Sequence, residues 1–226
     1  MKGTFKVVSQ MLVALTCAAL FFSPAFSEPA NLSILKKQIQ SYHDSGAYAK
    51  ELAKVISQAQ SYIIQEAEAN NQHGQHKKLA IVLDIDETSL SNYNKMVKRG
   101  FVANHAQIHR DILAADAPAI SPMLTLYSTA RKYGVQVFFV TGRPMSELKA
   151  TRSNLLRAGY KQWAGLFLRP NDYHQSSIIP FKSQTRESIT KKGYTIVASI
   201  GDQCSDLKGG FAQKGFKLPN PFYYLP

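Results

Sequence analysis

The sequence predicts one α/β domain on a doubly wound, mostly parallel, Rossmann-like sheet, with a small helical cap inserted after the first strand. Three observations carry this. Four short, nearly continuous apolar runs, at 79–83, 135–140, 163–168 and 195–200, suit strands buried on both faces. Helical segments separate the last three runs, and strands alternating with helices imply right-handed crossovers in an open sheet. Acidic residues follow the first and fourth runs directly, at the edge where such sheets bind ligands.

Lys2 and Lys6, the apolar stretch from Met11 to Phe22, and the small residues Ala25 and Ser27 read as an export signal, residues 1–27, cleaved after Ser27. The stretch is short for a membrane anchor, and the residues around Cys17 fit a lipidation site poorly. Residues 28–226 then form the domain. Leu32, Leu35, Ile39 and Tyr42 recur at helical spacing behind a candidate N-cap, Asn31. Tyr48, Leu52, Val55, Ile56, Ala59 and Ile63 mark one face of a second helix. The polar stretch 70–76 ends it, and His73 and His76 there read as a solvated loop rather than metal ligands. Residues 89–118, polar and weakly periodic, are placed over the carboxyl edge of the sheet as the cap. Pro144 and Gly159 bracket a helix at its first-turn and C′ positions, and Gly193 ends another.

Composition bounds the function. With 45% hydrophobic and 19% charged residues in 226, the chain is no disordered tail, collagen-like repeat or disulfide scaffold. Lys and Arg exceed Asp and Glu by 27 − 15 = 12, and losing Lys2 and Lys6 leaves 12 − 2 = +10. That charge favours anionic partners without choosing among them. The basic residues are scattered, with no run interleaved with stacking aromatics, so no specific nucleic-acid partner is expected. No stretch of the mature chain reaches the ~18 apolar residues of a membrane span. With Cys17 removed, Cys204 has no intrachain disulfide partner.

The chemistry gathers at strand ends. Asp84 and Asp86 lie two apart in an extended segment, so both can face one site. Crowded carboxylates are costly without a cation or shared proton. The fourth run ends in Gly201-Asp202-Gln203-Cys204-Ser205-Asp206, a second acidic pair at another strand end. Oxygen donors without clustered Cys or His favour a hard ion, Mg²⁺. Thr141-Gly142-Arg143-Pro144 supplies a hydroxyl, a glycine amide and the start of a helix, the parts of an anion cradle. Lys182, read alone, is a surface charge; with the acids and the hydroxyl it completes a set able to hold, neutralise and attack a phosphoryl group.

Asp84-Ile85-Asp86-Glu87-Thr88, Thr141, Lys182, and Gly201-Asp202 with Asp206 resemble, in order, the four motifs of the haloacid dehalogenase superfamily of phosphatases. The match is closest to its acid phosphatase branch, which holds secreted bacterial acid phosphatases and plant vegetative storage proteins. The resemblance covers essentially the whole mature chain. It implies a Mg²⁺-dependent phosphomonoesterase in which Asp84 attacks phosphorus and Asp86 serves as acid and base. Thr141, Gly142 and Lys182 would bind the phosphoryl group. Asp84, the Asp86 main-chain carbonyl and Asp202 would hold the metal, with Asp206 as ligand or close neighbour. Two other classes stay open: a storage or binding protein without turnover, ranked second because Asp84 is present, and a nucleic-acid end phosphatase. The substrate would be a small phosphomonoester. Tyr93, Phe101 and His109 are read as the core of the cap ahead of a base-stacking site. Phe222, Tyr223 and Tyr224 suit either tail packing or the homodimer interface that relatives of this kind suggest.

Overall fold

In this computed structural model residues 29–72 and 76–225 are described; the export-signal reading, Cys17 and His73 lie outside them. From Leu32 onward the order is α1 (Leu32–Asp44), α2 (Ala47–Gln72), β1 (Lys78–Leu83), α3 (Tyr93–Lys98), α4 (His105–Leu113), α5 (Ser121–Lys132), β2 (Gln136–Pro144), α6 (Leu148–Arg157), β3 (Gly165–Arg169), α7 (Ile179–Lys191), β4 (Tyr194–Gly201) and β5 (Lys214–Lys217). A single 3-10 turn, Met145–Glu147, joins β2 to α6, and another, Cys204–Asp206, follows β4. Among the described residues no helix is long and apolar enough to cross a membrane.

The strands form one sheet in the order β3-β2-β1-β4-β5, with every pair parallel. Successive side chains of a strand point to opposite faces, and this sorts the apolar runs between two cores. Ile81 and Leu83 join Val137 and Phe139 in the larger core, roofed by α2, α5 and α6; Ala80 and Val82 join Phe138 and Val140 in a smaller one, closed by Ile189 of α7. Burial on both faces is why the runs are apolar throughout.

The topology fixes where a ligand can sit. The chain leaves β1 for β2 and β3 on one side, then crosses back to β4 on the other. The β1–β4 boundary is thus the switch point at which open sheets form a crevice. Leu83 pairs with Ile200, so Asp84 and Gly201 emerge side by side, and the Asp84 amide donates to the Ile200 carbonyl at 3.0 Å.

Three features depart from the sequence reading. Edge strand β5, Lys214-Gly215-Phe216-Lys217, buries only Phe216, so it carries no apolar run. Helix α5 was not assigned, although Met123, Leu126, Tyr127 and Ala130 form its buried stripe and a proline lies in its first turn. Pro144 ends β2 instead of opening a helix: its ψ of 156° is extended, and the 3-10 turn intervenes before α6. The interval 89–118 holds α3 and α4, tied down at its exit by the Asn154 amide, which donates to the Ala117 carbonyl and accepts from its N–H at 2.7 and 3.1 Å.

Candidate active site

After β1 the chain turns back sharply. The Ile85 carbonyl accepts from the Ser89 and Leu90 amides at 2.8 Å, and Glu87 takes a left-handed φ of 52° that non-glycine residues rarely adopt. This turn presents Asp84 and Asp86 at the sheet edge. At the neighbouring strand end Gly201 is followed by the Cys204–Asp206 turn, a capping box in which Asp206 Oδ2 accepts the Gln203 N–H at 2.8 Å. The box folds the Asp206 carboxyl into the space a Cβ on Gly201 would fill; that atom would stand 2.1 Å from it.

Asp84, Asp202 and Asp206, all buried, each offer an oxygen within 4.8 Å of the others. Lys182, in the first turns of α7 and 4% exposed, donates to Asp84 Oδ1 at 2.8 Å and to Asp206 Oδ1 at 2.5 Å. Three carboxylates against one ammonium leave a formal charge of −2 in a buried site. Burial, opposed by Lys182 and reinforced by Asp206, Asp202 and Asp86, pushes the Asp84 carboxyl well above the usual carboxylate range. Burial and Asp206 raise Asp202 as well, against hydrogen bonds from Asn220 and Gln203. A hard divalent cation would offset the excess charge, and the all-oxygen donor set fits one.

Asp86 is held differently. Its carboxylate receives Arg143 Nη2 at 2.7 Å and Asn92 Nδ2 at 2.8 Å on Oδ1, and Arg143 Nε at 3.0 Å on Oδ2. Burial alone would raise this acid; the Arg143 guanidinium and the Asn92 amide outweigh it and hold the carboxyl below its ordinary range. The side chain therefore stands apart from the three-acid cluster. Thr141 is buried at the end of β2, and its Oγ1 accepts the Arg143 amide at 3.2 Å, leaving the hydroxyl proton to donate. Gly142 follows it in the strand, its carbonyl accepting Arg169 Nε at 2.7 Å. Because β2 runs on through Pro144 and a 3-10 turn follows, α6 does not begin at this cradle.

Several residues of the site were not singled out from sequence. Arg143 enters the sequence reading only as a member of the Thr141-Gly142-Arg143-Pro144 segment, because nothing local reveals that its side chain's partner lies in another motif. Asn92 binds both neighbouring acids, with its side chain on Asp86 and its amide on Glu87 Oε1 at 2.5 Å. Glu87 is fully buried; burial, countered by the Asn92 amide and aided by Asp202 and Asp86, pushes its carboxyl up to about 8. Asn220, from the tail, donates to Asp202 Oδ2 at 2.5 Å beside Gln203 Nε2 at 2.8 Å. The tail is clamped here: Gln203 also accepts the Leu225 amide at 3.2 Å. Phe222 is buried against Tyr48, Tyr93 and Phe101, and Tyr223 stands close enough to the acids that burial and the charges of Asp202, Asp86, Glu87 and Asp84 push its phenol far up. Of the three cap residues, Tyr93 and Phe101 do pack as core, whereas His109 is half-exposed and pairs with buried Glu147 at 2.7 Å. His76 belongs to no cluster of metal-binding side chains among the described residues.

The fold and this acid-lined switch point are those of a known family. The chain matches the HAD superfamily, subfamily IIIB (acid phosphatase), over residues 1–226 and belongs to it. It is 37% identical over 148 residues to acid phosphatase 1 of Solanum lycopersicum, which covers 64% of this chain and 58% of that one. It is 36% identical over 156 residues to the stem 28 kDa glycoprotein of Glycine max, covering 66% and 61%. The matched region thus spans about three fifths of the length of these relatives. The fold superposes on the class C acid phosphatase of Bacillus anthracis with a TM-score of 0.65, covering 84% of this chain and 86% of that one at 24% identity.

Proposed function

We propose that the protein is an exported, Mg²⁺-dependent acid phosphatase that hydrolyses small phosphomonoesters through an aspartyl-phosphate on Asp84. The observation that carries this reading is the junction of Asp84, Asp202 and Asp206, oxygens within 4.8 Å, with Lys182 bridging two of them. Family membership supports the reaction class.

Asp84 Oδ attacks phosphorus as the ester P–O bond breaks, and Asp86 gives the leaving oxygen its proton. Asp86 then takes a proton from water; the hydroxide attacks phosphorus and the bond to Asp84 breaks, releasing phosphate. Lys182 and the Thr141 hydroxyl bind phosphoryl oxygens, with the Gly142 backbone beside them. Arg143 now neutralises Asp86, and a phosphate dianion would compete for that guanidinium, freeing Asp86 to carry a proton. Asp84, the Asp86 carbonyl and Asp202 would hold Mg²⁺, with Asp206 alongside. The bound ion would supply charge neutralisation, without which a carboxylate repels the phosphate; one unit pair at ~4 Å is worth about 4 kcal/mol at an effective dielectric of ~20.

The test is phosphate release from nucleotides, sugar phosphates and aromatic phosphomonoesters, with and without Mg²⁺. Turnover that chelation abolishes and Mg²⁺ restores is expected. No release from any of them would favour the storage or binding reading.

A further inference from the structure

We propose that Arg186, which touches neither the acidic side chains nor a substrate position, is the positioning residue that sets the Asp206 carboxylate for metal binding. Arg186 is 1% exposed and sits one helical turn after Lys182, on the same face of α7. Burying a guanidinium is costly unless its donors are satisfied. Among the described residues no carboxylate pairs with this one; main-chain carbonyls satisfy it. Nε donates to Gly210 O at 2.8 Å, Nη1 to Asp206 O at 3.0 Å, and Nη2 to Lys208 O. The alternate carbonyls of 206–210 thus close around the guanidinium as they would around a cation.

Two serines also hold carbonyls of this loop. Ser199 Oγ on β4 donates to the same Asp206 carbonyl at 2.7 Å, and Ser183 Oγ donates to Gly209 O at 2.6 Å. Gly209, at φ 90°, approaches Ser183 so closely that a Cβ would lie 2.5 Å from it. One face of α7 therefore grips both ends of Asp206: Lys182 its carboxylate and Arg186 its carbonyl. Lys182 and the acid loop are fixed to each other through α7, and not only through the sheet. Without Arg186 the Asp206 carbonyl keeps Ser199 and the carboxylate keeps the Gln203 amide and Lys182, but the carbonyls of 206–210 lose their common donor, and the carboxylate is set less firmly opposite Asp84.

The inference rests on the metal reading above, and its test separates the two. Full-length wild type, Arg186→Gln, Arg186→Lys and Ser199→Ala are melted without metal and across a Mg²⁺ titration; the dependence of Tm on Mg²⁺ gives an apparent Kd without turnover. Arg186→Gln should weaken that Kd by about 10–100-fold, the range for supporting residues of metal ligands. Arg186→Lys, which keeps the charge but reaches fewer carbonyls, should fall between it and wild type, and Ser199→Ala should weaken it less. If Arg186→Gln does not fold, the Lys and Ser199 variants decide. Variants that melt lower without metal yet bind Mg²⁺ as wild type does would overturn the positioning role and leave Arg186 a structural brace. A wild type with no Mg²⁺-dependent shift would overturn the metal reading, and this inference with it.

Discussion

At the residue scale the site depends on what is missing from Gly201. Its absent side chain is the volume that the Asp206 carboxyl occupies, so Gly201→Ala would place a Cβ 2.1 Å from that carboxyl, a clash that only displacement of Asp206 or the strand end can relieve. Overpacking of this kind costs about 1–3 kcal/mol of stability. Activity should fall as well, by about 10–100-fold, the range for losing the support of a metal ligand. A folded Gly201→Ala variant with wild-type turnover would contradict that assignment. The aspartates separate by a second experiment. Asp86→Ala removes the proton carrier but leaves its main-chain carbonyl, so in the first step, phosphoryl transfer to Asp84, it should slow a sugar phosphate by ~10²–10⁴-fold and a nitrophenyl phosphate far less. Equal losses for both leaving groups would refute the acid role.

At the element scale β1 and β4 were legible because strands buried on both faces must be apolar throughout, and their carboxyl ends were legible because acids directly after such runs are conspicuous. Strand β5 was not legible: an edge strand needs one buried residue, here Phe216, and its lysines read as surface. The site divides the same way. Carboxylates and Lys182 announce themselves by type and order, but the pairing of Arg143 with Asp86 spans 57 residues and exists only once β2 lies beside β1. Asn154 is a further case. Mid-helix asparagine in α6 reads as solvent-facing, yet it is 2% exposed and fastens the exit of the 89–118 insertion. Asn154→Ala would strand the Ala117 N–H and carbonyl, each unsatisfied buried group costing about 1–3 kcal/mol. A lower urea midpoint and faster proteolysis within 99–118 are expected; an unchanged midpoint would mean that the insertion is held elsewhere.

At the scale of the whole molecule, an export signal would be removed before the domain acts. The charged, apolar and small-residue succession of 1–27 predicts a mature protein beginning at or near Glu28, which N-terminal sequencing of secreted or periplasmic material would check; material still starting at Met1 would contradict it. Among the described residues Cys204 is free and exposed, so once a leader carrying Cys17 is removed, reductant should leave the monomer's Tm unchanged.

The central claim is that Asp84 becomes covalently phosphorylated in a site completed by a divalent ion. Rapid quench of the Asp86→Ala variant with an activated aryl phosphate and Mg²⁺, followed by peptide mapping, tests it most directly. Water activation is impaired in that variant, so phosphate should accumulate on Asp84, disappear on chelation, and be absent from Asp84→Asn. Turnover with no phosphate on Asp84, or phosphate that forms equally well after exhaustive chelation, would contradict the account.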